Sequence, residues 1–422
     1  MVRQLISKLF STDKKSVFSN MLALGMLQVT HYILPLITLP YLVRVIGMEK
    51  FGIVSFAQAF IQYFIIATDY GFNLSAPREI SIHHKDPHKI SEIFSSVMIL
   101  KLFFLFISIL ILLSVICIIP KFQEDSNIYL FSFGMVAGYI LFPAWFFQGM
   151  EKMGYITTLN IIAKLIFTIS IFIFVRSESD YYKVPLINSL GFITTGIIAL
   201  WIVFKTFRVK LQFPDTTILI SHLKNSFYFF LSRISVSIYT ISNTFILGLL
   251  TTNTLTGYYE AANKLIKAVS ALNQPIVNAI YPYMCRTKNK SFYKKIFSGW
   301  VSIGICIFII TFFGNYYIIS TVYGSNFGQT AQILRFLSIQ FPLVFTSVLL
   351  GLPFLAAFGY TKFFNFTVVF GSIWHILALC IIIPIMKAYQ EAGIYLLVFV
   401  TILTETIILL ARVYGVRKYS LW

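Results

Sequence analysis

Residues 97–119 read VMILKLFFLFISILILLSVICII, with Lys101 as the one charged residue. A helix of about 20 apolar residues crosses the roughly 30 Å hydrocarbon core of a bilayer. The run is continuous, whereas a strand of a membrane barrel alternates between apolar and polar residues. This stretch therefore predicts a transmembrane helix.

The composition extends this prediction to the whole chain. Of 422 residues, 58% are hydrophobic and 11% are charged, and the mean hydropathy is +0.82. Soluble domains carry roughly 25% charged residues, so this chain requires lipid as its solvent. We predict an all-α polytopic membrane protein with about twelve spans. The predicted spans are 17–45, 50–71, 93–119, 128–149, 153–175, 185–206, 225–250, 256–283, 296–320, 329–356, 363–386 and 391–413.

An internal repeat divides the spans into two sets of six. Asn20 and Gly52 in the first half correspond to Asn225 and Gly257 in the second, at a constant offset of 205 residues. Six helices per half preserve orientation, which is typical of parallel repeats related by an axis along the membrane normal. We predict two six-helix bundles, related by pseudo-twofold symmetry around a central cavity. Their expected limits are 1–208 and 225–422, with a cytoplasmic linker at 209–224.

Basic residues set the orientation, because Lys and Arg accumulate in cytoplasmic loops. Alternate loops, with Arg412 counted among them, hold about four times as many basic residues as the others. Both termini are therefore predicted to be cytoplasmic. The sparse side holds Lys50, Lys121, Arg176, Lys183 and Lys387.

The polar and reactive residues exclude several classes of function. The net charge of +18 lies mostly in short loops, so nucleic acid is not expected as a partner. Cys117, Cys285, Cys306 and Cys380 are unpaired in sequence and are interpreted as small core residues. The histidines of 83–88 lie in a basic loop without a metal-ligand pattern. We expect no metal, no cofactor and no enzymatic activity, since no loop is long enough for a catalytic domain.

Ionisable groups at bilayer depth are the candidate site residues, because each costs at least about 2.5 kcal/mol to insert. If the basic side chains among them point inward, they would line a water-filled cavity that suits an anionic substrate. Snorkelling to the headgroups remains an alternative for Lys101 and, near span ends, for Arg44 and Arg335. Glu260, Lys264 and Lys267 share one helix face, so Glu260 and Lys264 could instead neutralise one another. The predicted substrate-binding residues are Lys101, Lys164, Arg233, Lys264 and Lys267.

Three carboxylates, Asp69, Glu260 and Glu405, are candidates for ion coupling. Asp69 is more simply interpreted as a partner of Arg78 at the cytoplasmic end of its helix. Glu405 has no basic residue one turn away, so it is either a proton carrier or a neutral acid bonded to another helix.

Prolines mark three helices that are expected to bend. Pro35 and Pro40 lie within the predicted span 17–45, Pro275 lies within 256–283, and Gly351-Leu352-Pro353 lies within 329–356. Proline removes a backbone hydrogen bond, so kinks are predicted at these positions.

Several motifs resemble the O-antigen flippases of the Wzx type. These are Leu36 through Gly47, Phe51-Gly52, Gly71-Phe72, Phe142 through Glu151, Gly257 through Ala262, and Pro275 through Pro282. The resemblance runs over essentially the whole chain. It implies membership of the multidrug/oligosaccharidyl-lipid/polysaccharide exporter superfamily, with two bundles around a central cavity. It also implies translocation of undecaprenyl-pyrophosphate-linked units from the cytoplasmic to the periplasmic leaflet.

Two rival functions stay open at this stage. A multidrug or cation antiporter of the same superfamily would need a carboxylate in the cavity. A membrane polysaccharide polymerase would need a large outer loop or a clustered acidic site.

The expected partners are the lipid-linked oligosaccharide, the bilayer, a polysaccharide polymerase and a chain-length regulator.

Overall fold

Helices make up nearly all of the described chain in a computed structural model. It describes the backbone of residues 12–422, and side chains from residue 34 onward except at 232, 235, 236, 238 and 239. The side chains of Asn20 and His31 lie outside that set. No strand occurs in the described backbone, which confirms the predicted all-α class.

The first six predicted spans correspond to helices α1 to α8. Helix α1 is interrupted at Gly47, whose φ of 72° and ψ of 169° separate the two predicted spans. The positive φ is one that glycine adopts without strain. The helices are α1 Thr12–Asp69, α2 Phe72–Ile82, α3 Pro87–Ile118, α4 Pro120–Glu124, α5 Ser126–Leu141, α6 Ala144–Gly149, α7 Met153–Phe174, the 3₁₀ turn Glu178–Tyr182 and α8 Lys183–Lys205.

The other six predicted spans correspond to helices α9 to α16. The helices are α9 Thr216–Leu250, α10 Asn253–Ser270, α11 Asn273–Thr287, α12 Lys290–Val322, α13 Gly328–Leu337, α14 Gln340–Leu349, a π-helical segment Leu350–Ala356, α15 Thr361–Ala388 and α16 Gln390–Lys418. Among residues 34–422, nine helical segments are long and apolar enough to cross a bilayer.

The bends predicted at Pro275 and at Gly351–Pro353 both involve helix interruptions. The span 256–283 breaks between Ser270 and Asn273, so Pro275 falls in the first turn of α11, where its missing N–H is tolerated. The Gly351–Pro353 stretch forms the π-helical segment, which accommodates Pro353 without ending the chain of helical turns.

The chain divides into two compact units. Unit 1 comprises the residues up to Thr38 and Phe60–Ile234, and unit 2 comprises Leu39–Ala59 and Ser235–Trp422. In unit 1, α5 packs along α8 and α2 packs on α6. In unit 2, α15 packs along α16, and α12 packs on α13 and α14. The bundle limits 1–208 and 225–422 remain predictions.

Within unit 2, the repeat-related glycines Gly52 and Gly257 lie at a close helix crossing. A Cβ on Gly52 would overlap the carbonyl oxygen of Asn253, and a Cβ on Gly257 would overlap that of Met48. Met48 and Asn253 are also separated by 205 residues. The two contacts are therefore reciprocal, as a two-fold axis between the repeats requires.

The cysteines correct one expectation from the sequence. Cys117, Cys285, Cys306 and Cys380 are all exposed on the protein surface. The interpretation as core residues was wrong because a helix in lipid can be apolar on its outer face, so apolar surroundings in sequence do not imply burial.

Candidate functional site

A buried group of ionisable side chains lies in unit 1. Lys101 of α3 donates from Nζ to Asp69 Oδ1 at 3.1 Å, and each of the two side chains is 1% exposed. Tyr139 of α5 lies near Arg233 of α9 and Asn73 of α2. Arg233 also interacts electrostatically with Lys101. We refer to Asp69, Asn73, Lys101, Tyr139 and Arg233 as cluster 1.

The turn after Asp69 positions cluster 1. The ring of Tyr70 stacks between Phe104 of α3 and Phe230 of α9, with centroid distances of 4.9 Å to each. Gly71 lies directly against the α9 backbone near Phe230. This packing holds Asp69 between α3 and α9, where it reaches Lys101 and lies near Arg233.

Cluster 1 has more positive than negative charge, since it contains Lys101 and Arg233 but one carboxylate, that of Asp69. Among the described residues, Asp69 Oδ2 has no hydrogen-bond donor. The proposed pairing of Asp69 with Arg78 was wrong, because Asp69 is buried against Lys101 while Arg78 is exposed. Snorkelling of Lys101 was also wrong, since its amine is enclosed by protein. The spacing of residues in the sequence could not identify Asp69 as the partner of Lys101, since the helices that carry them come together only in the folded chain.

Substituting either member of the Lys101–Asp69 pair is expected to destabilise the protein, and the two substitutions are expected to differ in the size of that effect. Asp69→Asn leaves Lys101 and Arg233 without a carboxylate in the described cluster, whereas Lys101→Met leaves Asp69 beside Arg233. Breaking a buried pair costs about 3–5 kcal/mol. We therefore expect Asp69→Asn to lower the thermal unfolding midpoint in detergent more than Lys101→Met does.

The control uses the partly exposed pair Lys89–Glu92 on the same helix. Lys89→Met should change the midpoint little, since exposed pairs contribute about 0–1 kcal/mol. The double variant Asp69→Asn/Lys101→Met should be more stable than the sum of its single effects predicts. Simple additivity would contradict the pairing.

A second group, which we call cluster 2, lies in unit 2 around Glu260 of α10. The buried carboxylate accepts hydrogen bonds at Oε2 from Thr244 Oγ1 at 2.7 Å and from Asn263 Nδ2 at 3.1 Å. Lys264 and Lys267 interact with it electrostatically. Cluster 2, like cluster 1, therefore contains two cations and one carboxylate.

The lysines of cluster 2 are not neutralised by direct contact. Neither forms an ion pair with Glu260 within 4 Å in the described part of unit 2; Lys264 Nζ instead lies 4.8 Å from the ring centroid of Phe51. Lys267 is exposed. Direct pairing of Glu260 with Lys264, left open by the sequence, is therefore not what the structure shows.

Lys164 and Glu405 belong to neither cluster by any described contact. Lys164 is partly buried on α7, and no ion pair or hydrogen bond joins it to another residue in the described part of unit 1. Glu405 on α16 interacts electrostatically with Arg412. Their roles in substrate binding and ion coupling stay predictions.

Two arginines have roles that the sequence did not indicate. Arg44 donates to the Thr321, Val322 and Tyr323 carbonyls at the end of α12, which stabilises that helix terminus. Arg412, counted above with the cytoplasmic loops, is buried and donates to Ser347.

A histidine that sequence reasoning passed over is fully buried in unit 2. His375 lies on α15, with Nδ1 2.9 Å from Thr404 Oγ1 and Nε2 2.9 Å from Asn243 Oδ1. Residues 363–386 contain no Asp, Glu, Lys or Arg. The cost of burying ionisable groups, which selected the lysines, could have selected His375 as well.

The loop around residues 83–88 has a local structural role. The carboxylate of Asp86 accepts hydrogen bonds from the backbone N–H groups of His88 and Lys89 and so caps α3. The N–H groups of Lys89 and His88 hold the pKa of the Asp86 carboxyl below its usual value.

Sequence comparison connects the chain to a family. Residues 17–288 match the family described as polysaccharide biosynthesis protein. A protein of Escherichia coli (strain K12) named "Putative O-antigen transporter" is 30% identical over 392 residues, which is 91% of this chain and 93% of the relative. A Shigella dysenteriae protein of the same name is 28% identical over 412 residues, covering 94% of this chain and 99% of its own length.

Structure comparison identifies the fold. An inward-facing multidrug resistance MATE family transporter of the MOP superfamily matches with a TM-score of 0.68 at 13% identity, over 94% of this chain and 98% of that one. The lipid II flippase MurJ in an inward closed conformation matches with a TM-score of 0.67 at 14% identity, over 95% and 87%. The two-lobed helical architecture of these transporters is therefore the fold of this chain.

Proposed function

The chain belongs to the polysaccharide biosynthesis protein family, and from that premise we propose that it is an O-antigen flippase. Its cargo would be undecaprenyl-pyrophosphate-linked repeat units, moved from the cytoplasmic to the periplasmic leaflet of the bacterial inner membrane. Its named relatives are transporters, and the chain is a multi-pass membrane transporter and not an enzyme.

The observation that carries the proposal is the excess of positive charge in each cluster. Cluster 1 contains Lys101 and Arg233 with one carboxylate, Asp69, and cluster 2 contains Lys264 and Lys267 with one carboxylate, Glu260. Cations that outnumber the neighbouring carboxylate favour an anionic partner, because charge-assisted hydrogen bonds to phosphate are strong. A pyrophosphate supplies that charge, and the polyprenyl chain would stay in the bilayer.

We assign the pyrophosphate contacts to Lys101, Arg233, Lys264 and Lys267, with Lys164 as a further cation on the path. A rocking motion of the two predicted bundles would expose the path first to the cytoplasm and then to the periplasm. The crossing of Gly52 and Gly257 joins a helix of the first bundle to one of the second, so it is the contact that we expect to part in that motion.

The topology follows the distribution of basic loops, with both termini cytoplasmic. A polysaccharide polymerase and a chain-length regulator would receive the cargo on the periplasmic side. Ion coupling through Asp69, Glu260 or Glu405 remains part of the proposal. A cation exporter fits less well, because Asp69 and Glu260 are each outnumbered by basic groups.

Deleting the gene in its native host tests the function. A flippase mutant should accumulate single lipid-linked repeat units that face the cytoplasm and should lose surface polysaccharide. A polymerase mutant would still carry one unit to the surface. Single units on the surface of the deletion strain would contradict the proposal, as would a normal polysaccharide ladder.

A further inference from the structure

His375 is held by hydrogen bonds at both ring nitrogens, inside unit 2. Its partners are on two other helices, Asn243 on α9 and Thr404 on α16. His375 is 0% exposed, Thr404 is 1% exposed and Asn243 is 5% exposed. The ring is therefore fixed in orientation and separated from bulk solvent.

The bonds of Asn243 determine which ring nitrogen carries hydrogen in the neutral state. Its Nδ2 donates to Thr401 Oγ1 at 2.9 Å and to the Tyr259 hydroxyl at 3.3 Å. Its Oδ1 is therefore the acceptor that faces His375, so Nε2 is the donor. The second nitrogen, Nδ1, is left facing Thr404.

Thr404 Oγ1 can form a hydrogen bond with His375 Nδ1 whether the imidazole is neutral or protonated. Its Oγ1 is 2.9 Å from Nδ1 and 2.8 Å from the carbonyl oxygen of Val400. When the hydroxyl hydrogen points to Nδ1, that nitrogen accepts and the imidazole is neutral. When the hydrogen points to Val400, Oγ1 can accept from Nδ1–H and the ring is an imidazolium.

Uptake of one proton therefore needs only the rotation of one hydroxyl. The proton binds Nδ1, Nε2 keeps its bond to Asn243, and every donor of the ring has an acceptor at existing distances. Burial disfavours the charged imidazolium, and the hydrogen bonds to Asn243 and Thr404 offset part of that cost. A buried histidine with a bonded site for each charge state is suited to binding and releasing a proton.

Charged groups surround this network on the neighbouring helices. Two carboxylates each follow a network residue in sequence, Glu260 after Tyr259 and Glu405 after Thr404. Residues 235–250 and 340–356 carry no Asp, Glu, Lys or Arg. The charged residues of the elements around His375 are Glu260, Lys264 and Lys267 on α10, Glu391, Glu405, Arg412, Arg417 and Lys418 on α16, and Lys362 and Lys387 on α15.

We propose that His375 is a proton-binding site within the membrane-spanning part of unit 2, and that a proton gradient acts on transport through it. The second part rests on the proposed function, whereas proton binding does not. His375, with Thr404 as the residue that accepts its second N–H, would then be a coupling group in addition to the carboxylates considered above.

Nuclear magnetic resonance of protein with ¹⁵N-labelled histidine, in lipid nanodiscs, tests proton binding directly. The His375 signals are identified as those missing from the spectrum of His375→Gln. They should change from one protonated ring nitrogen to two as the pH is lowered from about 8 to about 3. In Thr404→Val the acceptor of Nδ1–H is lost. Half-protonation should then move to lower pH by about one unit or more, the effect of one hydrogen bond to a charged group.

Thr406→Val is the matched control. Thr406 lies on the same helix and donates to Ile402 at 2.8 Å, as Thr404 does to Val400, but it has no described contact with His375. The control should titrate like the wild type. A His375 ring that stays singly protonated over the whole range would overturn the proposal, and so would Thr404→Val titrating like Thr406→Val.

A second readout separates proton binding from transport. In cells, Thr404→Val should lower surface polysaccharide relative to Thr406→Val if the proton gradient acts through this site. If Thr404→Val shifts the His375 titration as expected but leaves surface polysaccharide unchanged, the coupling is overturned and the flippase function is untouched. A strain without the gene that keeps its polysaccharide would refute the flippase function and leave proton binding untouched.

Discussion

Replacing Lys264 and Lys267 together with Gln is expected to reduce surface polysaccharide by about a hundredfold or more, with the protein still present in the membrane. Each lysine is proposed to donate a charge-assisted hydrogen bond to the pyrophosphate, worth about 1.5–3 kcal/mol. Losing both therefore removes about 3–6 kcal/mol, and 1.4 kcal/mol corresponds to a factor of ten. Glutamine keeps a polar side chain of similar reach and removes only the charge.

The control for this variant is Lys362→Gln/Lys387→Gln. Both residues lie near the ends of α15 in unit 2 and both are exposed. The control removes the same two charges from the same unit but leaves cluster 2 intact, so polysaccharide should stay near the wild-type level. Equal losses in the two double variants would indicate that total charge matters and cluster 2 does not.

Substituting Ala at Gly52 or Gly257 is expected to abolish transport. In each case the new Cβ would overlap a backbone carbonyl oxygen of the facing segment, which cannot rotate away as a side chain can. Overpacking of this kind costs about 1–3 kcal/mol, and here the helices must separate to relieve it. The conformation in which the two helices are in contact at Gly52 and Gly257 would become less populated. The protein could then no longer alternate between its two transport states.

The reciprocity of the crossing gives this prediction a stringent form. The single variants should have similar effects, and the double variant Gly52→Ala/Gly257→Ala should be little worse than either, because one separation relieves both overlaps. Surface polysaccharide and the thermal midpoint in detergent are the measurements. Gly154→Ala and Gly191→Ala are controls, since a Cβ at either position meets nothing within 4 Å. Fully additive losses would contradict a shared crossing.

The sequence predicted the helical class and most of the spans, because hydropathy depends on local composition alone, and its motifs indicated the family. The offset of 205 residues between Gly52 and Gly257 indicated the repeat, but the contact at these two positions was found only in the fold. The break between Ser270 and Asn273 was misplaced by a few residues. Pro275 is tolerated in the first turn of a helix, so it marks the start of α11 and not a kink within one helix.

The candidate site could be predicted only in part. Insertion cost selected Lys101 and Asp69 separately, but their pairing depends on the turn at Tyr70 and on the packing of α3 beside α9. Insertion cost indicated the Asp, Glu, Lys and Arg side chains within the spans more clearly than the histidines, so His375 was missed. Arg412 was assigned to a loop because it lies near the end of a span, whereas its guanidinium turns inward to Ser347.

The most direct test of the account is translocation of purified undecaprenyl-pyrophosphate-linked repeat units in reconstituted vesicles, followed with an enzyme that modifies the sugar only on the outer face. Wild-type protein and the Lys362→Gln/Lys387→Gln control should make the inner pool accessible at similar rates. Lys264→Gln/Lys267→Gln should slow that exchange by about a hundredfold or more. Exchange at the wild-type rate by the Lys264→Gln/Lys267→Gln protein would contradict the claim that Lys264 and Lys267 of cluster 2 carry the pyrophosphate.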